Sequence, residues 1–88
     1  MRKVIIQNNE LFWDDWNIEH IKKHNVKKNE VEEALTKRVQ ARKGNKGRLL
    51  LFGYTKTQRL LAIVIKKTSK GYYVFSARDA NKKEKLYL

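Results

Sequence analysis

The sequence predicts an α+β domain, with two helices followed by a three-strand antiparallel meander. Three observations carry this. Apolar residues recur at helical spacing twice in the first half, as Ile18/Ile21 and as Val31/Ala34/Leu35. Three β-rich runs follow, Leu49 to Tyr54, Arg59 to Ile65 and Tyr72 to Ala77. The middle run is apolar on both parities, with Leu61, Ile63 and Ile65 on one face and Leu60, Ala62 and Val64 on the other. A strand of that kind is central and covered. The 88 residues suit one domain, 1–88, which buries roughly 60–65% of its unfolded surface.

Each element follows in order. Val4-Ile5-Ile6 and Leu11-Phe12-Trp13 are short strand-like runs with a turn at Asn8-Asn9 between them. Asp14 caps the first helix by accepting free N–H groups of its first turn. Lys22, Lys23 and His24 close that helix, where its carbonyl end favours cations. Asn25 is a left-handed stop. Asn29 opens the second helix, and Glu32 three residues later reads as a capping box. Residues 39–47 read as a polar, glycine-bearing loop. Thr55 to Gln58 and Lys67 to Gly71 connect the strands of the meander. Asn81, with Glu84 in the reciprocal position, caps a short last helix.

Charge narrows the function. The chain holds 21 Lys and Arg against 9 Asp and Glu, a net charge of +12. Residues 1–40 carry +1 of this and residues 41–88 carry +11. Such an excess points to a polyanion, nucleic acid or an anionic membrane face, met by the second half. The absence of Cys excludes a disulfide scaffold and thiolate chemistry and suits a reducing, cytoplasmic setting. No apolar run approaches the roughly 20 residues of a membrane span. No secretory leader is expected from the N-terminal residues.

His20 and His24 share a helix face. A zinc site needs three or four protein ligands, and neither a Cys nor a third His is present. No metal or cofactor is therefore expected. The pair reads either as one packed and one surface histidine or as a base or acid at an RNA site, since histidine titrates near neutrality. Arg48, Lys56, Arg59, Lys66, Lys67 and Arg78 lie in or beside strands, interleaved with Tyr54, Tyr72 and Tyr73. Cations beside aromatic faces hold phosphates while the rings stack unpaired bases. The plainer readings are a solvated basic face and ordinary strand packing. Arg78 ends the last strand and by alternation shares a face with Ser76, Val74 and Tyr72. There a guanidinium either grips phosphate with two donors or pairs with Asp79 or Glu84.

Two blocks resemble the BrnT family of type II toxins. The first is Trp13-Asp14, Asn17, His20-Ile21, Lys23-His24 and Val26, followed by Glu30-Val31-Glu32-Glu33. The second is Ser76-Ala77-Arg78, Ala80, Glu84 and Tyr87. The resemblance spans nearly the whole chain. Two departures stand out: Asn25 where the family commonly has Gly, and Asn81 where it commonly has Thr. The resemblance implies a RelE/ParE-like fold, ribonuclease activity and a co-encoded antitoxin that forms a hetero-oligomer with the toxin.

The expected function is thus a metal-independent endoribonuclease toxin. RNA supplies its own nucleophile, the 2′-OH, so the protein need only place the phosphate, stabilise its charge and move protons. Arg78 is the first choice for the phosphate contact, with Arg48 or Arg59 next. His24, supported by Lys23, is the choice for proton transfer. Arg48, Tyr54, Lys56, Lys66, Tyr72 and Tyr73 are the expected RNA-binding residues. The alternative is a non-catalytic RNA- or DNA-binding module. A structural ion-pair protein is a third reading, weakened by the scarcity of acids.

Overall fold

The expected meander is the middle of a larger sheet. The computed structural model describes residues 2–86. Its strands are β1 (Arg2–Val4), β2 (Leu11–Phe12), β3 (Val39–Lys43), β4 (Arg48–Tyr54), β5 (Leu60–Thr68) and β6 (Gly71–Asp79). Its helices are α1 (Asp15–Lys22), α2 (Lys28–Ala34) and α3 (Lys82–Lys85). The strands form one sheet in the order β1-β3-β4-β5-β6-β2. β2 runs parallel to β6, and every other neighbouring pair is antiparallel. The result is a compact α+β fold with a mixed sheet. Among the described residues no helix is long and apolar enough to cross a membrane.

The expected loop at residues 39–47 is a correction, because Val39–Lys43 forms β3. Val39 and Ala41 alternate with polar neighbours and are buried. They complete the inner layer and give β4 a ladder partner it would otherwise lack. Only Gly44 to Gly47 turns, with Lys46 and Gly47 at positive φ. The two N-terminal runs do not pair with each other; β1 and β2 lie at opposite edges of the sheet.

α1 begins as the sequence implies. Asp14 Oδ1 accepts the Asn17 N–H at 2.9 Å, and Asn17 Oδ1 accepts the Asp14 N–H at 2.9 Å. Asn17 is fully buried and also donates to the Phe12 carbonyl at 3.0 Å. The chain leaves α1 through Asn25 at φ 58°. α2 starts earlier than Asn29: Glu30, not Glu32, reaches back to accept the Lys27 N–H at 2.9 Å. The carboxylate three residues past the cap position decides the start, whatever caps it.

Both helices cover one face of the sheet. Ile21, Val26, Val31, Ala34 and Leu35 pack there against Leu51, Leu61, Ile63, Ile65, Val74 and Ala77. A smaller cluster, Phe52, Leu60, Ala62 and Ala80, lies under α3 on the other face. The rest of that second face is open. β5 is thus central, as its double apolar parity predicts, with its second face covered at Leu60 and Ala62 and open from Val64 onward.

A register shift between Val64 and Ile65 corrects the expected face of Arg78. Ile65 pairs with Val74 and Val64 with Ser76, so Phe75 has no directly opposite partner, as at a β-bulge. Beyond it Ala77, not Ser76, points inward opposite Ile63. Arg78 and Ser76 therefore lie on the open face, away from Val74 and Tyr72.

Gly53 of β4 lies against the end of α2. A Cβ added there would collide with the Ala34 carbonyl oxygen and press on Val39. Gly53→Ala is expected to destabilise the fold by ~1–3 kcal/mol, the usual cost of overpacking a core. Thermal unfolding followed by circular dichroism reads this as a drop of roughly 4–8 °C per kcal/mol for a chain of this size.

Candidate nucleic-acid interface

The open face gathers the strand cations and rings by register. Arg48 of β4 lies opposite Lys66 of β5, Lys66 opposite Tyr73 of β6, and Tyr73 opposite Phe12 of β2. One row across four strands is therefore Arg48, Lys66, Tyr73 and Phe12. The Arg48 guanidinium rests 4.3 Å from the Phe75 ring centroid. Its Nε–H is buried without a hydrogen-bond partner among the described residues, and no described carboxylate pairs with it.

Ring contacts continue from this row onto α1. Phe75 meets Tyr73 edge-on at 5.1 Å, and Tyr73 lies 6.5 Å from Trp16. Trp16 stacks on His20 at 4.7 Å and 9°, and His20 meets His24 edge-on at 5.9 Å. Trp16, His20 and His24 stand four residues apart and so form one stripe along the helix. The Tyr73 hydroxyl donates to both Asp14 carboxylate oxygens at 3.0 Å, joining the sheet to the cap of α1. Burial, and then this bond to a carboxylate, push the Tyr73 phenol above its ordinary pKa. It is a neutral donor near neutral pH, not a base.

The other expected site residues are dispersed. Tyr54 sits six positions along β4 from Arg48, about 20 Å at strand rise. With Lys56 it borders a separate concavity of about 500 Å³ beside Lys3, Lys37 and Arg38. Tyr72 faces the helices and packs against the main core. Lys23 is exposed at the end of α1. Among the described residues no group of three or more His, Asp or Glu is placed to hold a metal ion. Tyr87, part of the second resembling block, lies outside the described residues.

Both arginines named beside Arg48 for phosphate contact are already engaged. Arg78 forms a two-pronged pair with Glu84, Nη1 to Oε1 at 2.8 Å and Nη2 to Oε2 at 2.9 Å. Glu84 also accepts the Asn81 N–H at 2.9 Å, so the pair anchors α3 to β6. The Arg78 fork holds the Glu84 carboxyl below its ordinary range. Arg59 uses all three nitrogens. Nε and Nη2 donate to Asp79 at 2.6 and 3.2 Å, Nη1 to the Asn25 carbonyl at 2.6 Å and to Glu30, and Nη2 to the His24 carbonyl at 3.2 Å. His24 thus contributes its backbone to the Arg59 clamp and its ring to the aromatic stripe.

Trp16 and Phe75 join this array of rings and cations without any local signal that singled them out. The 16/20/24 spacing was legible as a helical stripe; the strand bulge that turns the neighbouring face was not. No family model matches this sequence, and none of the curated proteins or solved structures matches it.

Arg59→Met is expected to cost ~1–3 kcal/mol, the penalty for leaving part-buried acceptors without a donor. The half-buried Glu30 carboxylate accounts for this, since Asp79 is 64% exposed and the His24 and Asn25 carbonyls also face solvent. Chemical denaturation of both proteins checks it. Asp79 and Glu84 both ionise more readily in the folded protein, through Arg59 and Arg78 respectively. Their stabilisation is therefore complete above the ordinary carboxylate range of about 4 and is lost as pH falls through the depressed folded values. The melting temperature should fall as pH drops below about 4, and less steeply in Arg59→Met; an equal slope in both proteins would remove Asp79 from the account.

Proposed function

We propose that this protein is an endoribonuclease toxin of a type II toxin–antitoxin pair, with a RelE/ParE-like fold and cytoplasmic action on RNA. Its resemblance to BrnT toxins in the Trp13 to Glu33 and Ser76 to Glu84 blocks supports this reading. The observation that carries the RNA contact is the row Arg48, Lys66 and Tyr73 on an open sheet face, with the Arg48 guanidinium free of carboxylates. Phosphates of a single strand lie on the two cations, and rings stand beside them for unpaired bases.

In this reading the RNA 2′-OH attacks the neighbouring phosphate. Arg48 meets the charge that develops on the phosphate oxygens. Its guanidinium is stacked on Phe75, which limits its freedom, so its donors are preorganised. His24 and His20 lie toward the Arg59 clamp, at the other end of the sheet from Arg48 and too far to share its phosphate. Cleavage therefore rests on placing the phosphate and meeting its charge, with water carrying the protons. Arg78 lies on the same face, and its fork is shared with Glu84. An acidic or amphipathic antitoxin segment covering the basic face blocks RNA and forms the inactive hetero-oligomer.

A second reading is a non-catalytic RNA-binding module. The neutralisation of Arg59 and Arg78 by their own carboxylates favours it. Purified protein and a labelled single-stranded RNA separate the two. Cleavage under single-turnover conditions, slowed roughly 10²–10³-fold in Arg48→Ala, is the outcome expected of a transition-state donor. Arg48→Ala should also lower the log–log salt slope of binding by about 0.7, one phosphate on a single strand. Binding without cleavage by the parent protein selects the second reading. Induced expression should also arrest bacterial growth and degrade RNA; normal growth at high levels of folded protein contradicts the toxin reading.

A further inference from the structure

Trp16 is 55% exposed on α1. It is not a loose surface residue. One ring face lies on His20 at 4.7 Å and 9°, and Tyr73, itself tied to Asp14, stands 6.5 Å away. The indole thus continues the chain of contacts that begins at the Arg48 guanidinium on Phe75. Charge divides along the same line. Arg48 and Lys66 lie on the sheet side, and Asp14 and Asp15 lie at the start of α1 beside Trp16. Phosphates are attracted to the first and repelled from the second. A neutral aromatic ring is not repelled.

We infer that Trp16, backed by His20, is a stacking platform for one unpaired nucleobase of an RNA strand whose phosphates lie on Arg48 and Lys66. The site gives the face a preference for single strands and fixes the direction of crossing, backbone over the sheet and base outward over α1. A duplex cannot use it, because its bases are already stacked on one another. This rests on the RNA-binding reading above and adds to it a second contact of different chemistry.

The test uses a short single-stranded RNA with 2′-O-methyl riboses, which blocks the internal nucleophile, and the matching duplex. Trp16→Ala should weaken binding of the single strand roughly 5- to 150-fold, the range for loss of one base–aromatic stack. Trp16→Phe, which keeps a ring, should retain most of the affinity. The salt slope should not change in either variant, because no phosphate contact is lost, and duplex binding should stay at the parent level. Addition of the single strand should quench the indole fluorescence of the parent, and Trp16→Phe should remove that quench. The quench keeps the test decisive if Trp16→Ala folds poorly. Parental affinity in Trp16→Ala, or an equal loss for the duplex, overturns the platform, and leaves the indole to a protein partner. If Arg48→Ala then still weakens binding with a reduced salt slope, the RNA reading stands and the platform alone fails. A parent protein that binds neither RNA overturns both.

Discussion

Arg59 stands one residue before β5, and its guanidinium joins that point to three other parts of the chain. It meets the carbonyls of His24 and Asn25 after α1, the Glu30 carboxylate in the first turn of α2, and Asp79 at the end of β6. Apolar packing of the helices on the sheet is strong but has no direction. The clamp supplies direction. It satisfies the carbonyls of the turn that follows α1, and it does so with charge-assisted bonds. Tyr73 does the corresponding work at the start of α1 through Asp14. With both ends held, α1 lies along β6 in one orientation, and Trp16 at the start of its stripe reaches Tyr73 of the open face.

Ion pairing also decides which cations remain for a partner. The second half of the chain holds only two acids, Asp79 and Glu84. Each is committed to an arginine, Arg59 and Arg78 respectively. These pairs tie elements together and neutralise the guanidiniums that make them. Arg48 lies at the far end of β4 from the clamp, flanked by Lys66 and held against Phe75 rather than by a carboxylate. Among the described residues, scarcity of acid therefore leaves Arg48 and Lys66 beside the rings without a carboxylate, as it leaves the lysines of α3 and those around the Lys56 concavity. A polyanion meeting this surface finds cations that need not release a partner first.

The aromatic residues divide in the same way. Tyr72 and Tyr73 are neighbours in sequence and face opposite sides of the sheet. Tyr72 joins the packing under the helices, whereas Tyr73 bridges Asp14, Phe75 and Trp16. Tyr54 stands on the same face as Arg48 but at the other end of β4, too distant for the two to serve one nucleotide. Alternation along a strand and distance along it thus sort three similar residues into a core contact, a bridge between the sheet and the cap of α1, and an isolated ring.

Local chemistry was enough to place α1, its Asp14 cap, the Asn25 stop, the Asn81–Glu84 cap and the three strands of the meander. Each depends on residues within four positions of one another or on a simple period. The doubly apolar β5 announced its own central place, because a strand must be covered on whichever faces are apolar. Strand β3 was not legible, since its charged end and glycine-bearing turn mask two inward residues that gain meaning only against β1 and β4. Nor was the face of Arg78, because a single unpaired residue at Phe75 reverses the alternation beyond it. The pairings Arg59–Asp79 and Arg78–Glu84 and the contact of Trp16 with Tyr73 were likewise decided in three dimensions. Composition could state that cations exceed acids, but which cations keep a carboxylate depends on distances between segments far apart in the chain.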